Sequence, residues 1–225
     1  MIRYYHDIEQ GVAEWLALRC GILTASEIKL IMTPTLKVAS NDKERAHLFE
    51  LLAQRITGHT EPQYVSDDML RGHEDEIEAR IKYAEHYAPV TECGFVTRDM
   101  GGYVIGYSPD GLVGDDGLIE CKSRRQKYQV ETILADAVPP EYMLQIQTGL
   151  LVTERNWMDF VSYSAGLPMF VKRVWPDAAI QEAIIAASQQ FEDRLQVAIK
   201  KYERMLQAMP VLIETERTIE QEIYA

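Results

Sequence analysis

The chain has 225 residues, 47% hydrophobic and 26% charged; no Pro/Gly/Ser linker, low-complexity run or repeat divides it, so one domain over 1–225 with a sizeable core is expected. No apolar core of signal-peptide length and no membrane-spanning run is present, which leaves the cytoplasm as the expected location, and the three cysteines, Cys20, Cys93 and Cys121, lack metal spacing and read as reduced core thiols. The net charge of −12 excludes DNA binding only superficially, because counterions are released where phosphates are contacted, whatever the remote surface carries.

In chain order, hydrophobic periodicity and turn chemistry predict helices near residues 12–19, 25–32, 43–57 and 67–87. Strands near 94–98, 103–107 and 118–122 follow, then a helix over 141–152. Strong alternation in 157–163 and 169–174 predicts a strand pair joined through Gly166, Leu167 and Pro168, and a long helix should run from about 176 to 208. The longest candidate loop is 33–42.

The densest chemistry lies in Gly106-Tyr107-Ser108-Pro109-Asp110-Gly111-Leu112 and, ten residues after Asp110, Glu120-Cys121-Lys122. Ser-Pro-Asp-Gly breaks a strand, because proline cannot donate to a ladder and glycine supplies turn conformations. Residues 117–122 resume as a strand in which Leu118, Glu120 and Lys122 share one face and Ile119 and Cys121 the other. Glu120 and Lys122 can therefore serve one site, with Asp110 beside them from the turn. Two carboxylates suit Mg²⁺, which keeps waters and phosphate oxygens in its shell, polarises a phosphate and acidifies water. Lys122 would orient the attacking water or accept its proton. The arrangement points to phosphodiester hydrolysis with Asp110 and Glu120 as metal ligands.

Two helices complete the picture. In 71–84, Ile77, Ile81 and Ala84 recur at spacings of four and three, which predicts a buried stripe with Glu76 at its border and Gly72 one turn earlier. In 141–151, Gln145 and Gln147 are polar groups in a mostly apolar helix, and buried amides need partners. One of them can bond a site water or serve as an internal structural cap.

Taken in order, Trp15-x(2)-Leu18-Arg19-x-Gly21-Ile22-x-Thr24-Ala25-Ser26, Gly72-x(3)-Glu76-x(2)-Ala79-Arg80, Ser108-Pro109-Asp110-Gly111, Glu120-x-Lys122 and Tyr142-Met143-x-Gln145-x-Gln147 resemble the phage lambda exonuclease family, the YqaJ-type viral recombinases. The resemblance covers roughly residues 10–175. It implies an α/β fold with a central mixed β-sheet flanked by helices, the PD-(D/E)XK restriction-endonuclease-like core. It also implies a Mg²⁺-dependent 5′-to-3′ exonuclease, with Mn²⁺ as a possible substitute, that digests one strand of duplex DNA from an end. A ring-shaped homotrimer, high processivity, a phage or prophage origin and a single-strand annealing recombinase as partner follow from the same resemblance.

Carried onto this chain, the family's roles make Asp110 and Glu120 metal ligands, Lys122 the catalytic lysine, Glu76 the helical acidic residue and Gln145 the glutamine beside the water. Arg19, Ser26 and Ser108 match the pocket for a terminal 5′-phosphate, as an arginine fork and hydroxyls near a helix start would. Arg124, Arg125 and Lys127 compete for the remaining basic position; Arg125 is assigned to it, and Arg124 and Lys127 to DNA contact. Met69 falls where the family places an apolar wedge that separates the terminal base pairs. The run 122–127 could track a phosphate backbone away from the site.

A structure-specific endonuclease of the same superfamily would share the metal site without needing Arg19, Ser26 and Ser108. A RecB-like or Cas4-like nuclease would add a tyrosine four residues after its glutamine, whereas Gly149 and Leu151 stand there, and three scattered cysteines cannot ligate an iron-sulfur cluster. A non-catalytic DNA-binding module that keeps the fold would not retain the full set of metal-site residues.

Overall fold

The computed structural model describes residues 1–62, 66–209 and 211–217, apart from the side chains of 67–69. The elements are β1 (Ile2–Tyr5), α1 (Ala13–Arg19), β2 (Leu23–Thr24), a 3-10 turn (Ala25–Glu27) leading into α2 (Ile28–Ile31), α3 (Asp42–Thr57), α4 (Asp67–His86), β3 (Phe95–Asp99), β4 (Val104–Tyr107), β5 (Gly111–Val113), β6 (Gly117–Ser123), α5 (Gln126–Ala135), α6 (Pro140–Thr153), β7 (Trp157–Tyr163), β8 (Phe170–Val174) and α7 (Ala178–Ala208).

The strands form two four-stranded mixed sheets, ordered β1-β3-β4-β2 and β5-β6-β7-β8. In each, one pair is parallel, β2 with β4 and β6 with β7, and the other pairings are antiparallel. The expected break at Ser108-Pro109-Asp110 is the link by which the chain leaves β4 in the first sheet and enters β5 in the second. Asp110 therefore stands at the junction of the sheets.

Alternation along β6 takes effect as the sequence predicts. Leu118 joins Ile146 and Leu150 of α6, Ile105 and Tyr107 of β4 and Phe160 of β7 in one core cluster. Ile119 and Cys121, on the other face, pack with Ala79 and Tyr83 of α4 and Val161 of β7. The second sheet is thus sandwiched between α6 and α4, and a third cluster joins α2, α3, α6 and α7. Gly149 permits the close approach of α6, since a Cβ there would come within 2.7 Å of the Met158 methyl and 2.9 Å of the Tyr107 ring.

The α4 stripe is a correction. Ile77 and Ile81 are 38% and 44% exposed, and Ala84 is exposed too; the face against the sheet carries Ala79, Tyr83 and the half-buried Asp75 and Glu76. The reason is polar pairing across the interface. Asp75 accepts a 2.5 Å hydrogen bond from Ser123 Oγ, and Tyr83 donates to the buried Asp159 at 2.7 Å. Gly72 faces open space, with nothing within 4 Å of where a Cβ would stand. All three cysteines are free, Cys93 and Cys121 buried and Cys20 half-buried. Among the described residues no helix is long and apolar enough to cross a membrane.

Candidate active site

The β6 strand and the β4–β5 link bring the acidic residues and the lysine together. Glu120 is 1% exposed. Its Oε1 accepts from Lys122 Nζ at 2.6 Å and from Gln145 Nε2 at 2.5 Å, while Oε2 accepts from the Tyr107 hydroxyl at 2.8 Å. Each carboxylate oxygen offers two lone pairs, so Oε1 is filled and Oε2 retains one acceptor position. Asp110 is anchored to the same strand, its Oδ2 accepting the Cys121 backbone N–H at 2.6 Å. Glu76 of α4 joins the cluster electrostatically, and with Asp110, His73, Arg80 and Glu92 it lines a cavity of about 410 Å³.

Crowding of acids away from water sets the protonation chemistry. Burial first, then the charge of Glu120, pushes the Asp110 carboxyl well above its ordinary value. Burial also raises Glu76, helped by Glu120 and opposed by Lys122, His73 and Arg80. For Lys122, burial acts to lower the pKa, but Glu120 and Asp110 outweigh it and the net shift is upward. The Tyr107 hydroxyl is pushed well up by burial and then by Glu120, so it stays a donor.

The two glutamines separate. Gln145 faces Glu120, whereas Gln147 donates to the Trp175 carbonyl at 2.8 Å and accepts the Asp177 N–H at 2.8 Å, tying α6 to the start of α7. Gln147 thus fills the structural use expected of a buried amide, while Gln145 bonds a carboxylate of the acidic cluster.

A second constellation adjoins Asp110. Arg19, in the last turn of α1, donates to Ser108 Oγ at 3.0 Å and to Thr24 Oγ1 at 3.4 Å, and its guanidinium stacks 4.3 Å from the centroid of the Trp15 ring. The Trp15 indole also donates to Ser108 Oγ at 3.1 Å. Ser26 Oγ lies 3.4 Å from Thr24 Oγ1, and Glu27 folds back to accept from both the N–H and the hydroxyl of Thr24 at 2.8 Å. With two donors on its oxygen, the Ser108 hydroxyl has its own hydrogen to give to an acceptor. Arg19 is half-buried, its pKa lowered by burial against the opposing charge of Glu27, and among the described residues it forms no ion pair.

The turn after Arg19 is fixed from behind. Gly21 adopts a left-handed conformation (φ 69°), its N–H donates to Gln54 Oε1 at 2.8 Å and its carbonyl accepts from Arg55 Nε at 2.8 Å. Arg55 is itself clamped by both oxygens of Glu192 at 2.6 and 2.8 Å.

The remaining sequence-expected residues fall around α5, which the sequence reading did not expect. Arg124 precedes this helix, its Nη1 donating to the Tyr142 hydroxyl at 2.7 Å and to Glu141 at 3.2 Å. Arg125 is its exposed N-cap residue and Lys127 lies exposed in its first turn. The side chain of Met69 lies outside the described residues. Tyr107 and Trp15 entered the sequence reading only as motif letters. For Tyr107 the signal was available: it sits two residues from Ile105 on an alternating strand that ends at the acidic motif.

The model of the YqaJ-like viral recombinase domain matches residues 14–156, which run from α1 to just past α6 and contain every residue of both constellations. The chain belongs to that family. A similar solved structure is the alkaline exonuclease from Laribacter hongkongensis, at 35% identity over 88% of this chain and 99% of that one, with a TM-score of 0.78. The same exonuclease in complex with dAMP gives 36% identity, the same coverage and a TM-score of 0.79. A phage related exonuclease from Haemophilus somnus, 14% identical with a TM-score of 0.51 over 79% of this chain and 96% of that one, shares the fold. A search of curated proteins finds no match. The α/β core of mixed sheets flanked by helices is accordingly that of the PD-(D/E)XK nucleases.

Proposed function

We propose that the protein is a Mg²⁺-dependent 5′-to-3′ exonuclease that digests one strand of linear duplex DNA and leaves 3′ single-stranded tails for recombination by strand annealing. The observation that carries this reading is a half-buried Arg19 with only neutral hydrogen-bond partners, beside a Ser108 hydroxyl with a hydrogen to spare, adjoining the Asp110, Glu120 and Lys122 cluster. A cation hydrogen-bonded only to neutral groups, beside a donor with a hydrogen to spare, fits a terminal phosphate. The similarity to an alkaline exonuclease over nearly the whole of that chain supports the same reaction class.

The donor set fits a hard dication. Among the described residues no group of three or more His, Cys, Asp or Glu side chains is arranged to hold an ion, and two carboxylates, Asp110 and Glu120, suit Mg²⁺, which retains water and phosphate oxygens in its shell. Asp110, its carboxyl raised by burial and then by the charge of Glu120, gains from a nearby positive charge. When bound, the ion, with Mn²⁺ as a substitute, supplies charge neutralisation at the phosphate and a lowered pKa for the attacking water. Gln145, Lys122 and Tyr107 hold Glu120 in place from three sides. Lys122, bonded to Glu120, would orient the attacking water or accept its proton. Glu76, which lines the same cavity as Asp110, would be a further acceptor for the water.

Arg19, Ser26 and Ser108 bind the 5′-phosphate in this reading, with Arg125 as their basic complement, and Arg124, Lys127 and Met69 contact the DNA. The protein acts as a homotrimer ring in the cytoplasm of a bacterial host, alongside a single-strand annealing recombinase. The test is digestion of linear duplex carrying 5′-phosphate or 5′-hydroxyl ends. Faster loss of phosphorylated ends, abolished by EDTA, is expected; equal rates on both would remove the phosphate pocket from the account.

A further inference from the structure

Cations and aromatic rings alternate outward from Lys122 in a continuous series. Lys122 Nζ lies 5.9 Å from the centroid of the Tyr142 ring; Arg124 Cζ lies 5.3 Å from the same ring and 5.2 Å from that of Tyr128; Lys127 Nζ lies 4.6 Å from Tyr128. The inner half is packed, and its cation is paired, Arg124 Nη1 lying 3.2 Å from Glu141. Tyr142 stacks on Phe160 at 5.4 Å, its hydroxyl accepts from Arg124, and the Arg124 backbone N–H donates to the Tyr163 carbonyl at 2.7 Å. The outer half is open: α5 turns Gln129 and Thr132 inward, while Tyr128 is 41% exposed and Lys127 is exposed.

An exposed ring between two cations adds little to the core. It has the two features that bind unpaired nucleic acid, a π-face on which any base can stack and positive charges spaced to meet phosphates. A base inside a duplex hides both of its faces, so rings of this kind discriminate for the separated strand. In a chain of net charge −12, a concentrated run of cations leading away from the reacting residues also keeps a polyanion near them.

We propose that Tyr142, Arg124, Tyr128 and Lys127 form a track for single-stranded DNA, on which an unpaired stretch of the digested strand, away from its 5′-phosphate, lies with its bases against the rings and its phosphates against the cations. This rests on the nuclease reading of the adjoining cluster. The track adds a stacking platform to what was read only as a basic run, and makes Tyr128 the residue that recognises bases.

The experiment is fluorescence anisotropy of a labelled single-stranded oligonucleotide, in Ca²⁺ so that the strand stays intact, against wild type, Tyr128→Ala, Tyr128→Phe and Lys127→Ala. Tyr128→Ala should weaken binding by at least about fivefold, and Tyr128→Phe, which keeps the ring, should bind within about twofold of wild type. Lys127→Ala should reduce the slope of log K against log salt by about 0.7. An abasic strand of equal length should bind wild type more weakly than the intact strand, and that difference should shrink in Tyr128→Ala. Wild-type affinity in Tyr128→Ala, or equal losses on intact and abasic strands, would overturn the track. Digestion of linear duplex in Mg²⁺ is run in parallel: a wild-type protein that cuts nothing refutes the nuclease reading, whereas active enzyme with unchanged Tyr128→Ala binding refutes the track alone.

Discussion

Replacing Arg19 with alanine separates recognition of the DNA end from stability of the fold. Two effects compete. Arg19 makes one short hydrogen bond to Ser108 at 3.0 Å and a longer one to Thr24 at 3.4 Å, and stacks on Trp15. Loss of that stacking costs on the order of 0.5–1 kcal/mol, and removing a half-buried cation that has no ion-pair partner recovers part of this. The net change in unfolding free energy should therefore stay under about 1 kcal/mol, a shift of at most about 2–4 °C in Tm for a chain of this length. A charge-assisted contact to a terminal phosphate is worth roughly 1.5–3 kcal/mol. Single-turnover digestion of 5′-phosphorylated duplex should accordingly slow by about tenfold or more, while 5′-hydroxyl duplex scarcely changes. Equal losses on both ends, or a Tm drop well beyond that range, would show that Arg19 serves general DNA binding or the fold, and the reasoning from its unpaired charge would be wrong.

The remaining predictions concern the carboxylates, the scaffold and the assembly. Asp110→Ala, Glu120→Ala and Lys122→Ala should each abolish digestion with circular dichroism unchanged, because they act as a unit; a folded variant at near-wild-type rates contradicts the assignment. In EDTA the raised Asp110 pKa means that the native state binds the extra proton, so this group's contribution to stability is greatest in acid and is lost as pH rises through that raised value. Urea unfolding should show this dependence diminished in Asp110→Asn, and Mg²⁺ should raise the Tm of wild type but not of that variant. For Glu192, burial acts to raise the pKa but the hydrogen bonds from Arg55 and Gln196 outweigh it and hold it low; Arg55→Ala should cost about 3 kcal/mol in urea unfolding near neutral pH, and a loss below about 1 kcal/mol would mean the clamp is screened. Sedimentation should give about 77 kDa for a ring of three 25.8 kDa chains, and a monomer with distributive digestion would rule the ring out.

What could be read from the sequence follows from how strongly each segment is patterned. Along β6 the period of two is unbroken, so the faces of Leu118, Glu120 and Lys122 against Ile119 and Cys121 were legible, and Pro109 with Gly111 marked the strand break that sets Asp110. The shortest strands carry no such signal: β2 and β5 have two and three residues, less than a period can establish, and neither they nor the four-residue β1 was expected. The helix α4 misled for a different reason. Its apolar residues mark one side, but small and polar groups, Ala79, Asp75 and the Tyr83 hydroxyl, make the contact with the sheet. The helix α5 was hidden because Gln129 and Thr132, polar residues, face inward, with Gln129 satisfied by the Ser162 and Pro168 carbonyls at 3.0 and 2.8 Å. The Trp15 support of Arg19 depends on tertiary proximity that no local spacing encodes.

Polarity of digestion tests the central claim most directly. A linear duplex with 5′-phosphate ends is labelled in one preparation at the 5′ terminus and in another at the 3′ terminus, and each is incubated with the protein in Mg²⁺ beside a covalently closed circle. The account predicts early release of the 5′ label, retention of the 3′ label until digestion nears completion, and an intact circle. Early release of the 3′ label, or cutting of the circle, would contradict it.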